Sequence, residues 1–161
     1  MATECFKIEW TGYYTVDEAH SQPEARKLGL YAVYKADFGE KTLLYIGKAT
    51  GIGTRLNHYR QTLQKFFPPE ELKELQIYIG VLTSLDGESV DQKQLKNIES
   101  LFINVYKPER NGESTKKGYK GRSALVVSIG EIGKFKMLTA HDKKLRRLIK
   151  DAIVSDYDLW G

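Results

Sequence analysis

The chain has 161 residues, 41% hydrophobic and 29% charged, proportions that predict one folded domain and exclude a disordered or fibrous protein. No apolar run approaches the roughly 18 residues needed to cross a bilayer. The start MATECFKIEW lacks a basic-then-apolar leader, and the single cysteine, Cys5, excludes an intramolecular disulfide framework or a Cys-rich zinc site, so the cytoplasm is the expected compartment.

In chain order, Phe6, Ile8 and Trp10 alternate with polar residues and predict a short strand, followed by a polar stretch over Asp17–Glu24. Two apolar, Tyr-rich runs, Gly29–Tyr34 and Thr42–Gly47, flank Ala36–Glu40 and predict a hairpin. Thr54–Phe66 predicts a helix capped by Thr54, with Leu56, Tyr59, Leu63 and Phe66 as its apolar stripe and Pro68-Pro69 as its stop. A short helical piece, Glu70–Leu75, leads into a strand over Gln76–Leu82 and a turn at Asp86-Gly87. A helix from about Val90 to Tyr106 follows, ended by Pro108, with Leu95, Ile98, Phe102 and Val105 on its apolar face. Beyond the Gly- and Lys-rich loop Asn111–Arg122, a strand is expected over Ala124–Ile129. A last helix is expected to begin at Thr139, boxed by Asp142, with Leu145, Leu148, Ile149, Ala152 and Ile153 as its stripe. A small sheet with helices packed on it, α+β or α/β, is the predicted architecture.

The net charge of +4 is modest, but it is unevenly spread. Lys41–Lys65 holds five basic residues and no acid, Lys116–Arg147 holds ten against two acids, and Glu70–Glu99 reverses the sign with seven acids against three bases. Segregated charge suits a polyanion-binding face, and equally a set of solvated helix faces.

A few residues stand out within these elements. If Tyr31 and Tyr45 oppose each other across the hairpin, its turn centres on Phe38 and two phenols project from one sheet face, although core packing is the commoner fate of strand tyrosines. The loop Gly47–Gly53 has the glycines and lysine of a phosphate cradle but not the Gly-Lys-Ser/Thr ending or the third glycine of the specific motifs. Arg55 and Tyr59 share a helix face, and His58 lies near it; in isolation a surface arginine and a structural histidine explain them. Glu99 sits inside an apolar stripe, four after Leu95 and three before Phe102. A carboxylate there has to be paired, protonated or bound to a metal. Asn111 precedes Gly112 behind Pro108, first of all a turn signal.

Together these residues resemble the GIY-YIG endonuclease family, including the nuclease domain of the UvrC repair protein and the restriction and homing endonucleases of that type. The first triplet is Gly29-Leu30-Tyr31, with Leu in place of Ile, and the second is Tyr45-Ile46-Gly47. Lys48 follows it, Arg55 stands ten after Tyr45, Tyr59 four after Arg55, Glu99 lies on the later helix, and Asn111 is twelve after Glu99. The match spans 29–111, about half the chain, inside a single domain of 1–161. Residues 1–28 form an N-terminal extension and 113–161 a basic strand and helix outside the family's motifs.

The resemblance implies an α+β fold with a small, mostly antiparallel central sheet flanked by helices, and metal-dependent hydrolysis of a DNA phosphodiester. It implies one divalent ion, Mg²⁺ or Mn²⁺, held through Glu99, with Tyr31 or Tyr45 orienting or deprotonating the attacking water. Lys48 would lower the phenol's pKa, Arg55 would clamp the scissile phosphate, Tyr59 would orient near it and Asn111 would fix the site's geometry. Lys116, Lys117, Lys120, Arg122, Arg146 and Arg147 are then candidates for further phosphate contacts with DNA, the expected partner. Two other classes compete: a DNA-binding module of the same fold that does not cleave, and a phosphate-binding α/β enzyme using Gly47–Gly53.

Overall fold

The computed structural model describes residues 3–112, 119–130, 135 and 138–140. Six strands form one mixed sheet: β1 (Glu4–Tyr14), β2 (Gly29–Asp37), β3 (Glu40–Ala49), β4 (Leu75–Ser84), β5 (Ala124–Gly130) and β6 (Leu138–Ala140). Their order is β3-β2-β4-β1-β5-β6. Only the β1–β5 pair is parallel, so the sheet is mostly antiparallel and the fold is α+β. Two longer helices, α2 (Ile52–Phe66) and α4 (Gln92–Tyr106), accompany the single turns α1 (Val16–Ala19) and α3 (Pro69–Leu72) and a 3₁₀ turn at Pro23–Arg26. Among the described residues, no helix is long and apolar enough to cross a membrane.

Period-two alternation gives the sheet two apolar faces, each covered by one long helix. On one face, Phe6, Ile8, Trp10, Leu30, Ala32 and Ile46 pack with Leu95, Ile98 and Phe102 of α4. On the other, Tyr31, Val33, Ile77 and Ile79 pack with Ile52, Leu56 and Leu63 of α2. Burying each such side chain contributes roughly 1.5–3 kcal/mol, so the two layers hold the helices to opposite sides of the same strands.

The hairpin joining β2 and β3 differs from the sequence expectation in register. Phe38 (φ 48°) and Gly39 (φ 82°) form a two-residue turn with both φ values positive, the geometry that matches strand twist. A bulge then inserts Leu44, so Tyr34 pairs with Leu43 but Val33 pairs with Tyr45. Tyr31 therefore opposes Gly47, not Tyr45. The offset is two residues, so both tyrosines still project from one face.

Four further expectations are corrected. The second helix begins two residues earlier than Thr54: Gly51 is its N-cap, and fully buried Ile52 anchors the first turn. Val105 is exposed and lies off the apolar stripe of α4, which is completed by Leu101 and Ile103. Asp91, not Val90, opens that helix through a capping box: its carboxylate accepts from Gln94 N–H at 2.8 Å, and the Gln94 side chain accepts from Asp91 N–H at 3.0 Å. Thr139 belongs to β6, paired with Leu125, rather than to a helix N-terminus. The helix expected after it, with Asp142, lies outside the described residues.

Candidate active site

The hairpin brings Tyr31 and Tyr45 side by side on the α2 face of the sheet, with ring centroids 6.0 Å apart. Tyr31 is fully buried while Tyr45 is partly exposed at the rim. Gly47 makes this possible. A Cβ on Gly47 would fall within the Tyr31 ring itself, so the second glycine of the pair of triplets is the space into which the first tyrosine folds. Gly29 plays a parallel part against the Gly80 carbonyl of β4, where a Cβ would prevent the two strands from pairing. Gly47→Ala is expected to push the Tyr31 ring out of place, lowering stability by about 1–3 kcal/mol in a denaturant titration.

The short link Thr50-Gly51 turns the chain from β3 into α2 and sets Arg55 in the helix's first turn. Its guanidinium lies against the Tyr31 hydroxyl, and that contact raises Arg55 above its ordinary pKa, with Tyr45 and Glu99 adding to the effect. The Tyr45 hydroxyl faces the same guanidinium and the Tyr31 hydroxyl.

Glu99 comes from the other face. It is half-buried at the edge where α4 packs against β3, so its carboxylate reaches the end of β3 and accepts the backbone N–H of Lys48. Burial raises its pKa above the ordinary carboxylate value, and the charges of Lys48, Arg55 and Lys96 oppose that rise without cancelling it. Among the described residues it forms no ion pair. Tyr45 is likewise pushed up, first by burial and then by the Glu99 charge, against the lowering influence of Arg55 and Tyr31.

These groups line one open hollow of about 760 Å³. Tyr31, Tyr45, Lys48, Arg55 and Glu99 share it with Thr50, Thr54, His58 and Gln92. Thr50, Thr54 and Gln92 were not singled out from the sequence. For Gln92 the signal was present, since it lies seven residues, two helical turns, before Glu99 on the same helix. Tyr59 lies on α2, four residues beyond Arg55.

Asn111 is outside the hollow but fastened to it. Its Oδ1 accepts the Ile46 N–H at 3.0 Å and its Nδ2 donates to the Ile46 carbonyl at 2.9 Å. The preceding residue continues the cover: Arg110 N–H donates to the Leu44 carbonyl at 2.7 Å. The amide thus stands in for a neighbouring strand on the free edge of β3, between Tyr45 and Gly47. Asn111→Ala leaves both Ile46 groups unpaired and is expected to lower stability by about 1–3 kcal/mol, readable as a drop in Tm.

The two basic candidates among the described residues, Lys120 and Arg122, are not gathered here. Lys116, Lys117, Arg146 and Arg147 lie outside the described residues. Lys120 is exposed, and Arg122 sits 3.6 Å from Glu4 at the start of β1 and β5. Four strand spacings, about 19 Å, separate β5 from β3 and its hollow.

The lining carries one carboxylate, Glu99, and one imidazole, His58, and no cluster of three metal-ligating side chains exists among the described residues. That donor set does not suit a protein-caged zinc ion. It suits a hard Mg²⁺ or Mn²⁺ ion that takes one carboxylate from the protein and its other ligands from water and phosphate oxygens.

Comparison with protein-family models, with curated proteins and with solved structures gives no match to this chain.

Proposed function

We infer that this chain is a metal-dependent DNA endonuclease of the GIY-YIG type. The observation that carries the reading is the convergence of two phenols, a guanidinium and a half-buried carboxylate on one open hollow, from β2, β3, α2 and α4. A fold needing only packing has no use for that carboxylate, because burial already holds its proton more tightly than water would.

Glu99 would hold the divalent ion. When bound, that ion supplies positive charge opposite the reacting phosphate and the leaving 3′ oxygen. Arg55, exposed at the mouth, presents its planar fork to the non-bridging oxygens. Tyr31 and Tyr45 divide the remaining work by their surroundings. Tyr45, held protonated by burial and by Glu99, is suited to donate a hydrogen bond to the phosphate or the attacking water. Tyr31, the other phenol beside the guanidinium, is left to orient the attacking water or to take its proton. Lys48 contributes its backbone N–H and its charge beside Glu99, and Asn111 acts through the strand that carries Tyr45.

Incubation of supercoiled plasmid with the protein tests this. Nicked circles are expected with Mg²⁺ or Mn²⁺ and none with excess chelator. Metal-independent nicking, or plasmid retarded but never nicked under any divalent ion, contradicts it; the second result would favour a binding module.

A further inference from the structure

The solvent face of α2 has a feature that catalysis leaves unused. Thr54, His58, Gln61 and Lys65 recur at four-, three- and four-residue steps and form one exposed row, with Asn57 and Gln64 beside it. Its first two members line the hollow, so the row begins at the reaction site and leads away from it. It spans about 16 Å along the helix, close to five base-pair steps of duplex. The helix contains no Asp or Glu, and α4 across the hollow contains none but Glu99.

Neighbouring polar groups on other surfaces behave differently. Arg60, on the flank of α2 away from the hollow, is paired with Asp17 at 3.1 Å, and Gln22 and Glu18 are tied into local hydrogen bonds. Among the described residues, no hydrogen bond or ion pair engages the side chains of Asn57, His58, Gln61, Gln64 or Lys65. Exposed amides offer a donor and an acceptor on one rigid plane, the pattern that matches a base edge, whereas Lys65 offers only a point charge suited to phosphate.

We propose that this row is a base-reading surface for the duplex whose scissile phosphate lies at Arg55, with Asn57 and Gln61 as the residues that set sequence preference. The proposal rests on the nuclease reading and adds a substrate property to it. Gln61 lies six residues, about 9 Å, beyond Arg55. The preferred base is therefore expected two to three base pairs to one side of the cut.

The test has two arms. In the first, nick positions on plasmid are mapped by sequencing for wild type, Asn57→Ala, Gln61→Ala and Lys65→Ala. Alanine is a strong helix former, so these exposed changes preserve α2. The ratio of cutting at the favoured base to the next best is expected to fall at least about tenfold in Gln61→Ala or Asn57→Ala. Lys65→Ala is expected to weaken cutting evenly and leave that ratio alone. A flat wild-type map, or ratios unchanged in Gln61→Ala and Asn57→Ala, overturns the proposal. In the second arm, duplexes are selected by binding from a randomised pool in Ca²⁺. A base preference that Gln61→Ala erases supports base reading even if the wild type never cuts, in which case the nuclease reading alone fails. Selection that yields no preference overturns base reading whatever the cleavage result.

Discussion

Glu99→Gln is expected to abolish nicking, by at least about 10³-fold in single-turnover rate, while leaving DNA binding intact and the fold as stable or more stable. The two halves of that result have one cause. The carboxylate is half-buried, and burial, outweighing Lys48, Arg55 and Lys96, raises its pKa in the folded chain. The folded state therefore binds a proton more tightly than the unfolded one. Between the ordinary glutamate pKa and the raised one, stability falls as pH rises, and the loss is complete above the raised value. Gln carries no such charge. The Tm of the variant should exceed that of wild type near neutrality, and the two should converge as pH falls below the ordinary carboxylate range. A glutamate kept for an ion pair gives the opposite sign: its loss costs stability at neutral pH. Cleavage at limiting metal should also show an acid limb that moves to lower pH as the metal concentration rises, since proton and cation compete for the Glu99 carboxylate. Thermal unfolding across pH, run beside the nicking assay, checks both.

Arg55 should be nearly as sensitive and for a different reason. Its guanidinium is exposed at the mouth of the hollow and stands beside the Tyr31 and Tyr45 hydroxyls, so on the proposed reading it would meet the phosphate and the phenols at once. Arg55→Ala is expected to lower the single-turnover rate by about 10²–10³-fold. Arg55→Lys should recover little, because an ammonium group is a point charge and cannot reach the phosphate with a bidentate fork while also lying against Tyr31. Binding of uncleaved duplex should change far less than the rate. Wild-type cleavage by either variant removes Arg55 from the chemistry.

Much of the site was legible because its signals are local. Apolar, Tyr-rich runs on either side of a turn marked β2 and β3, and a carboxylate between Leu95 and Phe102 marked itself as misplaced on an apolar helix face. What the sequence did not disclose depends on geometry between distant segments. The bulge at Leu44 is a single unpaired residue in an otherwise regular run, and together with a turn centred between Phe38 and Gly39, one half-step beyond Phe38, it moved the partner of Tyr31 from Tyr45 to Gly47. Without that shift the role of Gly47, making room for a ring, is invisible. Asn111 carried a strong local turn signal, yet both of its amide hydrogen bonds go to Ile46, 65 residues away. The start of α2 was misplaced because Thr54 is a good cap by residue type, while the helix begins where Ile52 can be buried. Packing outweighed the capping preference there.

A cation held by Glu99 beside the two phenols and Arg55 is the centre of the proposed chemistry. A crystal of the Tyr31→Phe variant with duplex DNA and Mn²⁺, measured for anomalous scattering, examines that directly. The expected result is one manganese peak within coordination distance of the Glu99 carboxylate, sharing a phosphate with Arg55. Duplex seated elsewhere, or a hollow without manganese in which Glu99 pairs with Lys48 or Lys96, would contradict it.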